Sequence, residues 1–477
     1  MPVHYVSADA VRDAEHAAGD LLVNGTLMAR ASAGAAHAVS VHLSRTGGCY
    51  GRRVGLVIGA GDNGGDALYA GAILARRGVS CSAVLLAPDK AHAGGLAAFR
   101  RSGGRVVAEL PSDLDVVIDG VVGIGGHGPL RPNAAAVFGA LVPSDAGGPT
   151  VVAVDLPSGV DADTGEVHEP SVHADITVTF GVRRHAHLLA APRCGRVELI
   201  DIGIATPEVD PSLLALTDTE VASLWPLPGP DDDKYTQGVV GVIAGSAKYP
   251  GAAILASGAA VAATSGMTRY VGTAAADVVG QWPEVVAAPS IEDAGRVQAW
   301  VVGPGMGVDD DALHRLRQIL ATDLPVLVDA DGLTLLARHP DLATDRGAPT
   351  LLTPHAGEFA RLAGAEVGAD RLAAVRELAT QWGVTVLLKG RITLIADPDG
   401  GVLGNDAGSS WAATAGAGDV LSGIAGALLA AGLTPQLAGA AAARVHAQAA
   451  ELASRGAPIG ASNLLAAVRP TIRELLS

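Results

Sequence analysis

The stretch GAGDNGGD, Gly59–Asp66, follows the apolar run RVGLVIG (Arg53–Gly59) and opens a helical pattern. Strand, glycine loop and helix in that order begin a parallel α/β unit. Gly59, Gly61 and Gly64 satisfy G-x-G-x-x-G, a spacing that lets backbone N–H groups approach a phosphate at the positive end of a helix. Alone, the spacing is a weak signal. A dehydrogenase of this type would end its next strand on an acidic residue that holds a ribose hydroxyl. Here that strand ends in LLAP, and Asp89 lies beyond the proline. An ordinary NAD-dependent dehydrogenase is therefore disfavoured.

Outward from the loop, short β-branched runs recur: SCSAVLLA (Ser80–Ala87), RVVAEL (Arg105–Leu110), DVVIDGVVG (Asp115–Gly123), TVVAVDLP (Thr150–Pro157), ADITVTFG (Ala174–Gly181) and RVELIDIG (Arg196–Gly203). They lack clean alternation, as strands covered on both faces do. A helical stretch to about Ser44 precedes them. The regularity breaks in LWPLPGPDDDKYTQG (Leu224–Gly238), where prolines, glycines and three aspartates suggest a linker. It restarts in GVVGVIAGS (Gly238–Ser246), AWVVGPG (Ala299–Gly305), PVLVDADG (Pro325–Gly332), PTLLTPH (Pro349–His355) and TVLLKGRITLIAD (Thr385–Asp397). Ala-rich helical stretches, including Asp419–Leu433 and Pro435–Ser454, close the chain. The pattern predicts two different α/β domains: a Rossmann-like three-layer domain over residues 1–215 and a second over 225–477, with a boundary at about 215–230.

Composition narrows the function. The chain of 477 residues is 49% hydrophobic but only 3% aromatic, so Ala and Gly supply much of the bulk and favour close helix-on-sheet packing. A formal net charge of −16 argues against a broad basic surface for nucleic acid. Small anions then need helix N-termini and glycine nests. Cys49, Cys81 and Cys194 are scattered and odd in number, as expected of reduced thiols in a cytoplasmic protein. The N-terminus lacks a signal-peptide pattern. VLSGIAGALLAAGL (Val420–Leu433) is too short to span a bilayer and Pro435 follows it. Neither nucleic acid nor membrane is expected as a partner.

Three strand ends in the first half carry polar residues: Asn63 and Asp66 beside Gly64 and Gly65; Asp119 before a second glycine nest; and Asp155 and Ser158 in VAVDLPSG. In an open α/β sheet such ends line the ligand crevice. Asn, Asp and Ser oxygens converging there suit a hard cation. Turn or helix capping is an equal alternative for each residue alone; the joint occurrence at three strand ends favours a site.

GDNGGDA, DGVVGIGGHGPLR, VDLPSGVDADTG and ADITVTFG together resemble the NAD(P)H-hydrate epimerase family, and LMARA (Leu27–Ala31) resembles its N-terminal helix. The resemblance covers about residues 5–205. It implies a potassium ion on Asn63, Asp119 and Ser158. It implies a substrate site of Asp62, Asn63, Gly64, Gly65, Asp66, Gly123, Ile124, Gly125, Gly126, His127, Gly128, Pro129 and Asp155, with Asp175 as the acid–base group. This chain departs from the family at Asp62, at Ile124, and at Arg183 and Arg184, which replace a lysine. Arg stays charged where Lys can exchange a proton, so the departure puts epimerisation in question.

In the second half TAGAGDVLSG (Thr414–Gly423) sets Gly416 and Gly418 before an apolar helix. Backbone N–H groups and the helix dipole there form an anion hole, and Asp419 is placed to act as general base. Capping by Asp419 is the alternative. GPGMG (Gly303–Gly307), VDADGL (Val328–Leu333) and TPHAGEF (Thr353–Phe359) each end a strand, and LLKGRITLI (Leu387–Ile395) carries Lys389, one of four lysines. Asp329 and Asp331 suit a hydrated Mg²⁺ or a turn. Together these resemble the ribokinase-like superfamily and, within it, the NAD(P)H-hydrate dehydratase family, over about residues 230–475. The resemblance implies that Lys389, Gly390, Arg391, Ile392, Thr393, Gly416 and Gly418 contact an adenine nucleotide, and that Ala253, Gly305, His355 and Asp419 contact the hydrate.

Both resemblances imply one substrate, hydrated NAD(P)H (NAD(P)HX), a dead-end product that forms as two epimers. The first domain would interconvert them. The second would dehydrate the hydrate with ADP and Mg²⁺. A small-molecule kinase, or a first domain that senses rather than catalyses, are the rival readings. A homo-oligomer is expected.

Overall fold

The computed structural model describes residues 1–207 and 212–477. Its contacts separate two compact units, His4–Asp210 and Pro211–Ser477 with Met1–Val3.

The first unit holds strands β1 (Val3–Val6), β2 (Arg53–Ile58), β3 (Ser80–Leu85), β4 (Arg105–Val106), β5 (Val116–Gly120), β6 (Thr150–Val154), β7 (Ile176–Phe180), β8 (Arg183–Arg184) and β9 (Arg196–Ile200). The main sheet runs β4-β3-β2-β5-β6-β7-β9, parallel throughout. Counted from β2, the first six strands stand in the order 3-2-1-4-5-6 of a doubly wound dinucleotide fold, with its switch point between β2 and β5. The run RVVAEL keeps only Arg105–Val106 as strand, because β4 is an exposed edge with a single neighbour. β1 had no signal in the sequence; it pairs with β8 through Tyr5 and Arg183. Helix Thr26–Arg45 buries Ala31, Ala35, Ala38, Val39 and Leu43 in the core.

In the second unit the strands are β10 (Leu213–Ala215), β11 (Val239–Ile243), β12 (Met267–Val271), β13 (Val286–Ala288), β14 (Ala299–Val302), β15 (Val326–Val328), β16 (Thr350–Leu352), β17 (Thr385–Leu388), β18 (Ile392–Ala396) and β19 (Val402–Asp406). They lie in the order β13-β12-β11-β14-β15-β16-β17-β18-β19-β10. The run Thr385–Asp397, expected as one strand, folds back on itself. β17 and β18 pair antiparallel, Val386 opposite Ala396 and Leu388 opposite Leu394, with Lys389–Arg391 at the turn. β12, β13 and β19 were not anticipated.

The unit also begins earlier than residue 225. β10 pairs with β19. Helix Asp218–Leu224 starts on a full capping box of Thr217 and Glu220, and Arg444 and Gln448 both donate to Asp218 at 2.8 Å. Trp225 Nε1 donates to Ala263 O at 3.0 Å. Turn-forming residues of the supposed linker follow these elements instead of preceding the unit.

The packing uses the Ala/Gly composition directly. Helix Pro250–Ala263 crosses helix Ala417–Ala430 so closely that a Cβ on Gly423 would lie 2.2 Å from Ala256 O. Backbone cannot yield as a flexible side chain can. Gly423→Val should therefore destabilise the second unit by about 3 kcal/mol or more, read as a fall in the thermal midpoint. An unchanged midpoint would show that this contact does not set the helix crossing.

Candidate functional sites

In the first unit a cleft of about 790 Å³ opens at the carboxyl ends of β2, β3, β5 and β6, and its lining includes Asp62, Asn63, the loop Gly123–Pro129 and Ser158. Beneath it lies Asp119, wholly buried. Its carboxylate accepts from Ser158 N and Ser158 Oγ, both at 2.8 Å, and from Val121 N at 3.1 Å. Burial nevertheless pushes its pKa up to about 6. Ser158 Oγ accepts in turn from Val122 N at 3.0 Å. Asn63 Nδ2 is buried without a partner. A Cβ on Gly123 would sit 3.2 Å from Asn63 Oδ1 and 3.3 Å from Asp155 Oδ2, so the ends of β2, β5 and β6 converge as expected.

Asp155 holds a left-handed backbone, φ 68, that a non-glycine residue adopts at a cost. Its carboxylate accepts from Arg184 Nη2 at 2.8 Å and from Thr179 Oγ1 at 3.1 Å. Arg184 is 1% exposed and also donates to the carbonyls of Phe180 and Val182. His187 braces the pair: its Nε2 donates to Asp155 O at 2.8 Å and its Nδ1 accepts from Arg184 N at 2.9 Å. Burial, then Arg184, press the His187 pKa down to about 4, so the ring is a neutral brace. The arginine that replaces the familiar lysine is thus locked onto Asp155.

Asp175 is not brought to this cleft. It precedes β7, level with Val151 at the amino end of the sheet. Its oxygens accept from Ser144 Oγ at 2.6 Å and Val151 N at 2.8 Å. Four residues of strand, about 13 Å, separate that level from Asp155. The position before an apolar strand looks alike in sequence at either end; the sheet's direction decides which edge it occupies. Gly64 and Gly65 turn inward, with Cβ positions against Gly59 O and the His92 ring. Asp66 Oδ1 accepts from Ser32 Oγ at 3.3 Å; burial, then Asp155, Asp62 and Glu15, outweigh that bond and hold its pKa well above the ordinary value. His127 is exposed and bonded to Asp161.

One acid was missed. Glu15 lies on helix Ala8–Ala17, which Arg12 ties to the glycine loop by donating to Ile124 O at 3.1 Å. Burial raises Glu15, with Arg184 opposing. Nothing in the local sequence marks this helix as part of the site.

In the second unit Asp329 ends β15 and is buried. Lys389 Nζ donates to its Oδ1 at 2.7 Å and Ser422 Oγ to its Oδ2 at 2.8 Å. Glu358 Oε2 lies 3.6 Å from the same ammonium. Burial works against the charge on Lys389, but the two carboxylates outweigh it and raise its pKa. Lys389 therefore serves Asp329 first, and its 19% exposed side chain leaves one face open. A Cβ on Gly418 would stand 3.6 Å from Nζ and 3.8 Å from Asp329 Oδ2.

Gly416 caps helix Ala417–Ala430 with φ 85, a conformation that favours glycine. Asp419 stands in the first turn. Burial, then Asp329, push its pKa up to about 7, with Lys389 opposing and Asp331 adding. Half-buried His446 bonds Ala417 O at 2.9 Å, and desolvation of its ring keeps it near 4. Neither His446 nor Ser422 was singled out in the sequence, since a polar residue inside an Ala-rich helix gives no signal.

His355 caps helix Ala356–Ala363: its Nδ1 accepts from Gly357 N and Glu358 N, and its N–H donates to Glu358 Oε2 at 2.8 Å. Its side chain is 57% exposed, so it both shapes the turn and faces outward. Gly390 and Arg391 lie in the β17–β18 turn, and Ile392 and Thr393 begin β18; Thr393 Oγ1 donates to Gly390 O, and Arg391 bonds Asp406 and Gly408 O. Gly305 approaches Tyr249 and Ala252, with φ 60. Ala253 is fully buried under Gly245, so its methyl is wall and not contact surface. Ala330, between Asp329 and Asp331, has φ 51, as strained as Asp155 in the first unit.

Comparison with known proteins gives the family of each unit. Residues 240–469 match the family model of NAD(P)H-hydrate dehydratase, and residues 24–186 that of the YjeF-related protein N-terminus. The bifunctional NAD(P)H-hydrate repair enzyme Nnr of Mycobacterium leprae is 56% identical over 99% of this chain and 100% of its own. The enzyme of that name from Mycobacterium tuberculosis is 59% identical over 90% of each chain. A ribokinase-like superfamily protein from Enterococcus faecalis, 22% identical with a TM-score of 0.51, covers 57% of this chain and 99% of its own, and shares the fold of the second unit. The chain belongs to the family of bifunctional NAD(P)H-hydrate repair enzymes, which join an epimerase and a dehydratase of hydrated NAD(P)H.

Proposed function

We propose that the first unit interconverts the S and R epimers of NAD(P)HX and the second dehydrates NAD(P)HX with ADP, giving NAD(P)H, AMP and phosphate. The observation that carries the second half is Asp419, a carboxyl poised near 7 beside Gly416, Gly418 and the start of a helix. In this reading Asp419 takes the proton of the added hydroxyl as the oxygen attacks the β-phosphoryl of ADP. The backbone of Gly416 and Gly418 and the helix N-terminus receive the charge on the transferring group. AMP leaves. The hydroxyl, a poor leaving group, has become a phosphate ester, and phosphate departs as the ring loses a proton to restore the double bond. Lys389 to Thr393 would hold the nucleotide from the β17–β18 turn, and Gly305 and His355 the hydrate. Ala253 would shape the pocket from behind.

Mg²⁺ would enter on the phosphates of ADP. Asp329 has both oxygens engaged, by Lys389 and Ser422, whereas Asp331 uses only Oδ2, which accepts from Gly307 N at 2.9 Å, and keeps its other oxygen for the ion's water shell. Potassium fits the first unit better. Asn63, Asp119 and Ser158 present an amide, a buried carboxylate and a hydroxyl, and the unpartnered amide position of Asn63 becomes an oxygen ligand on a flip. Bound there, K⁺ would supply positive charge beside the substrate's phosphates.

For epimerisation we assign the central carboxylate to Asp155 instead of Asp175. Asp155 reaches Gly123 of the cleft, whereas Asp175 is satisfied at the opposite end of its strand. The unpaired thiols fit a cytoplasmic setting. No described helix is long and apolar enough to cross a membrane. A homo-oligomer is part of this reading, to be checked by light scattering.

The deciding experiment follows recovery of reduced-nicotinamide absorbance from mixed NADHX epimers with Mg²⁺ and either ADP or ATP. Complete recovery with ADP is expected. Recovery that halts when one epimer is spent would remove the epimerase assignment, and recovery with ATP alone would remove ADP as donor. Asp419→Asn should lower the dehydration rate about 10²-fold or more with the thermal midpoint retained. Because the base works ionised, the wild-type rate should climb as pH rises through about 7 and level off above it; a flat profile across that range would rule Asp419 out. Asp155→Asn should slow epimerisation by a similar factor. Asp175→Ala should leave epimerisation intact and cost about 1–3 kcal/mol of stability through the unpaired Val151 N–H and Ser144 hydroxyl; loss of epimerisation in a well-folded Asp175→Ala protein would restore the sequence-based assignment.

A further inference from the structure

The cleft of the first unit carries two cations that the epimerase chemistry leaves without a task. Lys90 lies in the turn after β3, and Arg131 precedes helix Pro132–Gly139; both line the cleft. Neither has a carboxylate at ion-pair distance among the described residues, whereas Arg12, Arg52, Arg53, Arg184, Arg193 and Arg196 of the same unit do. Asn133 Nδ2 donates to Leu86 O at 3.1 Å and so ties the start of that helix to the end of β3. Leu130, Ala134 and Val172 pack against Leu86 and Val121 beneath it. The two cations therefore stand on the lining of one cleft, beside elements that this bond and packing hold together. The acids Asp62 and Asp155 belong to the ends of β2 and β6 instead.

The topology says what reaches that lining. In a 3-2-1-4-5-6 dinucleotide fold the groups that meet the 2′ position of the adenine ribose come from the end of the second strand and the loop just beyond it. A carboxylate there hydrogen-bonds a free 2′-hydroxyl; a cation receives a 2′-phosphate. β3 is the second strand of this sheet, and the charged side chain after it that lines the cleft is Lys90, not its neighbour Asp89. In a chain of net charge −16, Lys90 and Arg131 put two positive charges without an ion-pair partner on the lining of one cleft.

We propose that Lys90, with Arg131, forms a 2′-phosphate seat through which the first unit selects hydrated NADPH over hydrated NADH. The inference rests on the first unit acting on hydrated dinucleotides. The diphosphate bridge common to both substrates is the other anion available, but the glycine loop Gly123–Gly128 and the start of helix Asp62–Arg76 are the features that suit it.

The test measures epimer interconversion by the full chain, without adenine nucleotide so that dehydration is idle. Epimer ratios of NADHX and NADPHX are followed by chromatography and the spontaneous rate is subtracted. The wild type should show a higher kcat/KM for NADPHX. Lys90→Ala should lower the ratio of the two kcat/KM values about tenfold or more, the scale of one charge-assisted hydrogen bond. Lys90→Glu should lower it further, and Arg131→Ala should move it in the same direction. An unchanged ratio in Lys90→Ala, whether both rates fall together or neither falls, would overturn the seat. A wild type that interconverts neither substrate would refute the epimerase assignment and the seat with it, an outcome distinct from an active enzyme whose selectivity does not move.

Discussion

A carboxylate at the buried end of a parallel strand must find a cation or keep its proton. The cost of leaving it charged and alone is several kcal/mol, and both units are organised around that cost. Asp155 is matched by Arg184 at 2.8 Å and Asp329 by Lys389 at 2.7 Å. Each pair is completed by hydrogen bonds, from Thr179 in one unit and Ser422 in the other. Once one carboxylate per site has claimed the cation, the acids around it titrate upward. Burial raises Glu15, Asp66 and Asp119 in the first unit and Asp419 in the second. A fixed negative charge beside an acid that titrates near neutrality is the division of labour that proton transfer needs.

The backbone that delivers these groups is strained where they sit. Asp155 and Ala330 are two of three described non-glycine residues with positive φ, and each stands at the carboxyl end of a strand in its site. Strain of this kind persists only where surroundings over-determine it. Around Asp155 the surroundings are Arg184 and His187; around Ala330 they are the engaged side chains of Asp329 and Asp331. Close helix packing supplies the rigidity. The Ala- and Gly-rich faces of helices Pro250–Ala263 and Ala417–Ala430 hold the start of the second helix, and with it Asp419, in place.

The arginine in place of lysine has a structural consequence that its chemistry alone did not disclose. A guanidinium that is always charged cannot pass a proton, and Arg184 is held by a carboxylate and two carbonyls besides. It acts as a fixed counter-charge. Proton movement in that cleft is then left to carboxyl groups.

The local signals of this chain were legible by eye. GAGDNGGD, VDLPSG, TPHAGE and TAGAGDVLSG each announce a strand end, a turn and a helix start, because glycine conformation, capping and apolar runs are properties of neighbouring residues. They were enough for two α/β domains and for the families they resemble. What they could not contain is anything decided across the sheet. Whether a residue before an apolar strand faces the crevice or the opposite edge depends on strand direction, which is why Asp175 lies away from the cleft that Asp155 adjoins. Whether Thr385–Asp397 is one strand or a hairpin depends on which neighbours pair. That the charge of Arg184 is felt at Glu15, that Ser422 bonds Asp329, and that Lys90 and Arg131 line one cleft are relations between residues far apart in sequence, and only tertiary packing brings them about.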